Sequence, residues 1–516
     1  MATRRGISSY GAYLPFRRLD LAGVQPVAGT GGGKGQRTVA SYVEDTTTMA
    51  VEAARAALGT SDTFRPGSLW FATTAPAYAD KTNATAIHAA LRLDPAAPAF
   101  DVNGAVRSAM GALRAGLASA GEGTGPALVV AADIRTGLPG SPDEAAGGDG
   151  AAALVVRAAG DGDDGPPLVA ELLGSGSVTE EFLDRWRTPG DNRSKLWEER
   201  FGEGRYLAAG QRAWDEALKS AGLVADQVDR VVIAGSHARA VNRLAGKLGT
   251  GVGVSGGAGA ASPLTNAVGF TGAAQPLLGL AAALDVAAPG EVIALVVLAD
   301  GADVLVLRTT DALAARRPVP SVADQVAAGG PVAYGTYLAW RGYLPVEPPR
   351  RPEPARPSAS AAGRSADWKF GFVGSQAEDG TVHLPPAAQD TESRPMAGAT
   401  GTIATFTVDK LAYSPSPPVV FAVVDFDGGG RLPVELTDVT PGEVRIGGRV
   451  EMTFRKLFTA DGIHNYFWKA RPVRSGAAQA APVGAAPETP RRLTTSTALP
   501  ERTTVSGPRP LTQEDS

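Results

Sequence analysis

Few side chains in this sequence can do chemistry by themselves. Its 516 residues include four histidines and no cysteine. Without a thiol, disulfides, thiolate zinc sites, iron–sulfur clusters and a cysteine nucleophile are all excluded. His88, His383 and His464 are scattered, with no neighbours at metal-ligand spacing, so no metal is expected. His237 is placed differently. In VVIAGSHARAVNRL an apolar strand pattern runs into a helical one, and His237 stands at the turn, where an imidazole can cap a helix or face a ligand. Arg239, Arg243 and Lys247 follow at one-turn spacings, as a solvated basic face or as a contact for phosphates. Ser108 sits in a helical stretch with no base in evidence, the usual setting of a surface serine.

The elements that position these residues alternate. Apolar runs at Ser68–Thr73, Ala127–Ala131, Ala151–Val156, Arg230–Ala234, Val292–Leu298 and Asp303–Leu307 predict buried strands. Helical patterns cover Thr46–Leu58, Ala105–Ala120, Gly210–Ala221 and Ala273–Val286. Such alternation over residues 1–330 predicts parallel βαβ units in a layered α/β fold. Residues 331–367 hold a short helix, YGTYLAWRGY, placed to dock one domain on another, and a Pro/Arg-rich linker, EPPRRPEPARPSASAAGRS. From Trp368 short β runs and glycine turns predict a small antiparallel barrel, over 399–473. Residues 474–516 lack periodicity and predict a disordered tail.

Composition narrows the function. Hydrophobic residues are 44% and charged residues 20%, ordinary for a globular protein, and the net charge of −4 gives no footprint for nucleic acid. No apolar run reaches the roughly 18 residues of a membrane span, and MATRRGISSYGAYLPF lacks the apolar core of a secretion signal. A cytoplasmic protein with no membrane partner is expected.

Six stretches in order carry a resemblance: GISSYGAYLP, EDTTTMAVEAARAAL, WFATTAPAY, DVNGAVRSAMGAL, GDGAAALVV and VGFTGAAQPLLGLAAAL. Together they resemble hydroxymethylglutaryl-CoA synthases and their ketoacyl-synthase relatives in the thiolase superfamily. The resemblance implies a thiolase-type α/β/α/β/α fold made from a duplicated half. WKFGFVGSQAEDGTVHLPP, GTIATFTVD, VVDFDGGGR and RIGGRVEMTFRKL are similar to the OB-fold proteins that partner thiolases, in which a small zinc ribbon precedes the barrel. The ribbon would be residues 368–398.

The resemblance also assigns roles, and this sequence departs from most of them. Val106 occupies the position of the cysteine that holds the acyl group, and valine cannot hold one. Thr74 matches the glutamate that serves as general acid/base, and Phe270 an asparagine of the ketoacyl synthases. His237 keeps the position of the oxyanion-stabilising histidine, and Arg239, Arg243 and Lys247 would meet CoA phosphates. Glu44, Asp45 and Asp149 lie within matching strings and promise turn and cap chemistry only. The ribbon's four cysteine positions hold Gln376, Asp379 and, near them in sequence, Gln389 and Glu392, which predict an exposed loop without zinc.

The expectation is an acyl-CoA-binding protein of this family, degenerate at the condensing site. It would act as a scaffold or handover subunit with a thiolase-type partner, as a homodimer or larger, with the CoA thioester as ligand and no cofactor. The alternative is an active transferase or retro-aldol lyase using a site without cysteine, for which His237, Tyr78 and Tyr206 are available. Nucleic-acid binding through Phe467, Trp468 and Lys469 is disfavoured by the charge.

Overall fold

A computed structural model describes residues 4–59, 65–120, 125–160, 165–191, 193–248, 263–390 and 392–473. Nine strands form one sheet: β1 (Arg4–Tyr13), β2 (Ser68–Thr73), β3 (Ala99–Asn103), β4 (Ala127–Asp133), β5 (Gly150–Ala159), β6 (Ala170–Thr179), β7 (Arg230–Gly235), β8 (Val292–Leu298) and β9 (Gly301–Thr309). Every residue of β4 and β8 is buried, which requires cover on both faces. The helices α1 (Thr46–Leu58), α2 (Ser108–Ser119), α3 (Glu199–Ala221), α4 (Ala238–Leu248) and α5 (Gln275–Val286) supply it.

The strand order β7-β8-β9-β6-β1-β5-β4-β2-β3 contains the duplication. Outward from the centre, β1-β5-β4-β2 pair antiparallel, antiparallel and parallel. On the other side β6-β9-β8-β7 repeat that sequence of pairings. An antiparallel β1/β6 contact joins the halves, and β3 adds an edge strand to the first. Thr74, just beyond β2, and His237, just beyond β7, therefore hold comparable places in the two halves.

After the sheet, α6 (Tyr334–Trp340) packs on Leu19, Val24 and Val39 of the layered domain. Tyr334 donates to Glu144, and the following Arg341 pairs with Asp149. The helix thus anchors the chain to the first domain. Its Trp340 also lines a small concavity together with Val420 and Val439 beside the barrel, and within the linker Ala359–Arg364 is helical.

The ribbon is a three-stranded sheet of β10 (Val373–Gln376), β11 (Val382–His383) and β12 (Glu392–Pro395), with β10 central. Gln376 and Glu392 stand opposite one another in its ladder, so two positions expected in an exposed loop lie on paired strands. A closed barrel follows, built from β13 (Thr400–Asp409), β14 (Val419–Phe426), β15 (Arg431–Leu436), β16 (Arg449–Ala460) and β17 (Ile463–Pro472). The tail expected from residue 474 lies outside the described residues.

Barrel and layered domain share one core. Met49, Ala53 and Ile87 belong to the same apolar cluster as Phe454 and Trp468. Charges cross the same junction. Arg455, fully buried, reaches Tyr13 Oη at 2.6 Å, Glu44 at 3.3 Å and Asp438 at 3.4 Å. Arg471 lies 3.2 Å from Glu52, and Tyr466 donates to Asp45 at 2.8 Å. Glu44 is therefore more than a turn residue: it is one side of a buried interdomain ion pair. Asp45 both caps α1, in a capping box with Thr48, and receives the barrel.

Candidate functional site

Beyond the ends of β2 and β4, segments of the first half meet the Phe270–Ala273 turn, which lies between β7 and β8 in the second. Asp133 ends β4 and is fully buried. Its carboxylate accepts from Thr74 Oγ1 at 2.7 and 2.9 Å, from the Thr74 N–H at 3.2 Å and from the Ala273 N–H at 2.9 Å. Arg135 donates to Thr74 Oγ1 at 3.1 Å, and its guanidinium stands 5.8 Å from the centre of the Phe270 ring. Above this corner Arg187 donates to the Thr74 carbonyl at 2.9 Å. Thr74 and Phe270, far apart in sequence, are brought together.

The turn that makes this possible needs glycine. Gly272 has φ +55°, and a Cβ there would lie 1.9 Å from Asp133 Oδ2. Burial raises the Asp133 carboxyl above its ordinary value, while Arg135, the Thr74 hydroxyl and the Ala273 N–H pull the other way. Burial likewise weakens the hold of Arg135 on its proton.

Asp133, Arg135 and Arg187 were not among the expected site residues. The available signal was an acid closing the run ALVVAAD, at the end of a strand pairing in parallel with β2, where open α/β sheets place ligands.

Val106 lies just before α2 and packs on the apolar cluster that contains Ala72, Val268 and Ala274, neighbours in sequence of Thr74 and Phe270. The helix start around it is firmly built. Arg107 donates to Asp303 at 2.8 Å and to the Asp300 carbonyl at 2.7 Å. Ser108 Oγ accepts from the Ala105 N–H at 3.3 Å, a capping role. The helix start is intact, and a methyl-branched side chain stands at its tip.

His237 is buried at the start of α4, and both its ring nitrogens are engaged. Nε2 donates to the Glu199 carbonyl at 2.8 Å, and Nδ1 accepts from the Ala240 N–H at 3.2 Å. This arrangement caps the helix and ties it to α3. Arg239 and Arg243 face the same helix, pairing with Glu199 at 3.4 Å and Glu203 at 2.5 Å. Lys247 is exposed. The stripe is a helix–helix seam on a solvated face. Tyr206 donates to Asp184, and Tyr78 accepts from the His464 N–H of the barrel, so both tyrosine hydroxyls are tied to neighbours within the chain.

The described residues also line two concavities, neither of which includes Thr74, Val106 or His237. One, of about 540 Å³, is lined by Gly31, Gly32, Gly33, Lys34, Gly140 and Ser141 among others, a glycine-rich loop with one cation. The other, of about 190 Å³, lies between α6 and the barrel, beside Tyr42, Trp340 and Asp438. Among the described residues no group of three or more His, Asp or Glu is arranged to hold a metal. In the ribbon His383 Nδ1 and Ser375 Oγ both bond to Asp390, at 2.7 and 2.6 Å.

Comparison with known proteins agrees with this architecture. The chain is 30% identical over 356 residues to the hydroxymethylglutaryl-CoA synthase of Aeropyrum pernix, covering 66% of this chain and 95% of that protein. It is 28% identical over 347 residues to the same synthase of Pyrococcus furiosus, covering 66% and 97%. Among solved structures, MvaS in complex with 3-hydroxy-3-methylglutaryl coenzyme A is similar with a TM-score of 0.54 at 22% identity, over 69% of this chain and 95% of that one. An HMG-CoA synthase complexed with CoA is similar with a TM-score of 0.53 at 18% identity, over 65% and 89%. Residues 393–455 match the family model of the ChsH2 C-terminal OB-fold domain.

Proposed function

This chain belongs to the hydroxymethylglutaryl-CoA synthase family, and from that premise we propose that it binds acyl-CoA thioesters without condensing them through an enzyme-bound thioester. Val106 carries this reading. It stands at an intact helix start where the chemistry needs a nucleophile, and no neighbour replaces it, since Arg107 is tied to Asp303 and Ser108 to the backbone. The general acid is missing too. The Thr74 hydroxyl directs its proton to Asp133, so it cannot donate that proton to a ligand. Such a protein suits a scaffold or handover role beside a thiolase-type partner, in the cytoplasm where CoA thioesters are made and used.

Two further features support the reading. The glycine-rich concavity with Lys34 offers room and positive charge for the anionic end of CoA. The edge strand β3 has no partner on its outer side among the described residues and exposes 44% of Phe100, which suits pairing with a second copy in a homodimer.

A lyase reading is favoured by one observation, the buried Asp133 with its raised carboxyl beside Thr74. As a base acting on a β-hydroxyl, it would start retro-aldol cleavage without any covalent thioester.

Calorimetry and intact-mass measurement with acetyl-CoA and acetoacetyl-CoA, on the native chain and Val106→Cys, test both. Binding without CoA release or adduct in the native chain, with an acetyl adduct on the cysteine variant alone, is expected. CoA release at a catalytic rate by the native chain would overturn the non-condensing reading. Cleavage of a β-hydroxyacyl-CoA, abolished by Asp133→Asn, would install the lyase.

A further inference from the structure

The segment Thr74–Tyr78 has the candidate site at one end and the barrel at the other. At its first residue, Thr74 is held by Asp133. At its last, Tyr78 Oη accepts the backbone N–H of His464 at 2.8 Å, with the two rings 5.0 Å apart. His464 lies just past the tight β16–β17 turn, and Thr459 across the hairpin bonds its Nδ1 at 2.8 Å. The hairpin also reaches the middle of the segment. Tyr466 donates to Asp45 at 2.8 Å and Lys456 Nζ lies 3.7 Å away, while the adjacent Thr46 donates to the Ala75 carbonyl at 2.9 Å.

From this geometry we propose that the β16–β17 hairpin is a positioning element for the acyl-CoA site, with Tyr78 and Tyr466 as its positioning residues. The proposal rests on the reading that acyl-CoA is bound beside Thr74. Neither tyrosine touches the Thr74–Asp133 corner. Tyr78 fixes the last residue of the segment directly, whereas Tyr466 holds Asp45, whose neighbour Thr46 bonds the Ala75 carbonyl, and the corner's geometry follows from where that segment is pinned. The hairpin itself is rigidly mounted, because the buried Arg455 and the part-buried Arg471 on its strands pair with Glu44 and Glu52. A rigid body attached to that segment directly at Tyr78, and through Asp45 and Thr46 at Ala75, transmits its position to the site, which a barrel tethered by its linker alone could not do. The fused barrel thus serves the ligand site of its own chain, in addition to any partner it meets.

The test uses the full chain. Tyr78→Phe removes the acceptor of the His464 N–H, and Tyr466→Phe removes the donor to Asp45. Each is expected to weaken acetyl-CoA binding at least about fivefold, the lower end of ordinary coupling between sites. Hydrogen exchange in the peptide covering residues 73–78 should rise in both variants, with thermal stability little changed. Tyr413→Phe, which alters a barrel tyrosine bonded to the linker residue Glu353, serves as control and should bind as the native chain does. Native affinity and native exchange in Tyr78→Phe would overturn the proposal. If the native chain binds no acyl-CoA, the site reading fails alone, and unchanged exchange at 73–78 would still overturn the coupling.

Discussion

Glu52 sits inside a helix with only 5% of its surface exposed. Burial by itself would raise its carboxyl. Arg55, Arg471 and Arg455, with the N–H of Phe454, overcome that and hold it at about 2, against the ordinary 4.5. At roughly 1.4 kcal/mol for each pH unit, these partners contribute about 3 kcal/mol to the folded chain near neutrality. The sign follows from the direction. A carboxyl depressed by folding stabilises fully above its unfolded value, and that contribution is lost as pH falls from about 4.5 towards 2. Glu52→Gln keeps the shape but not the charge, so it is expected to cost about 3 kcal/mol at pH 7. The deficit should shrink steadily between pH 5 and pH 2. Urea titrations followed by tryptophan fluorescence at a series of pH values measure it, with Trp468 buried at the same junction as a reporter. A deficit below about 0.5 kcal/mol at pH 7, or one that stays constant down to pH 3, would refute the account of the junction as a charge-held interface.

Three other outcomes follow from the same structure. Arg455→Met leaves Glu44 and Asp438 buried without their guanidinium, and should cost about 3–5 kcal/mol in a denaturation experiment. Gly272→Ala forces a Cβ against Asp133 at a left-handed φ, and should cost about 1–3 kcal/mol in stability and weaken acyl-CoA binding. A chelator should leave the melting temperature unchanged, whereas Asp390→Asn, which weakens the bonds from Ser375 and His383, should speed hydrogen exchange across residues 373–395.

The elements were legible where a single physical signal dominated. Thr46–Leu58 and Val292–Leu298 have the boundaries that their periodicity predicts, because the helix is buried over all but its last turn, the strand is buried throughout, and their ends are marked by a cap or a glycine turn. Helix α3 begins at Glu199, well before the expected Gly210. Its first turns carry Arg200, Phe201 and Arg205 in a mixed pattern that hides the helical period. The duplicated pairing order has no local signal, since it depends on which strands meet.

Sequence alone determined which chemistry is absent and what framework remains. A chain without cysteine cannot form an enzyme thioester, and the ordered strings from Gly6 to Leu284 establish the family fold around Val106 whatever that residue does. Tertiary structure alone decided how the remaining polar groups are used. His237 holds its expected place, yet both its nitrogens are committed to Glu199 and Ala240, because the approach of α3 sets the ring's partners. Glu44 reads as a turn or cap residue until the barrel's Arg455 arrives from the far end of the chain, as Arg471 does beside Glu52. Burial and pairing are properties of assembled surfaces. A charge's neighbours in sequence cannot show whether it faces water or a guanidinium several hundred residues away, and that difference separates a solvated side chain from one that holds two domains together.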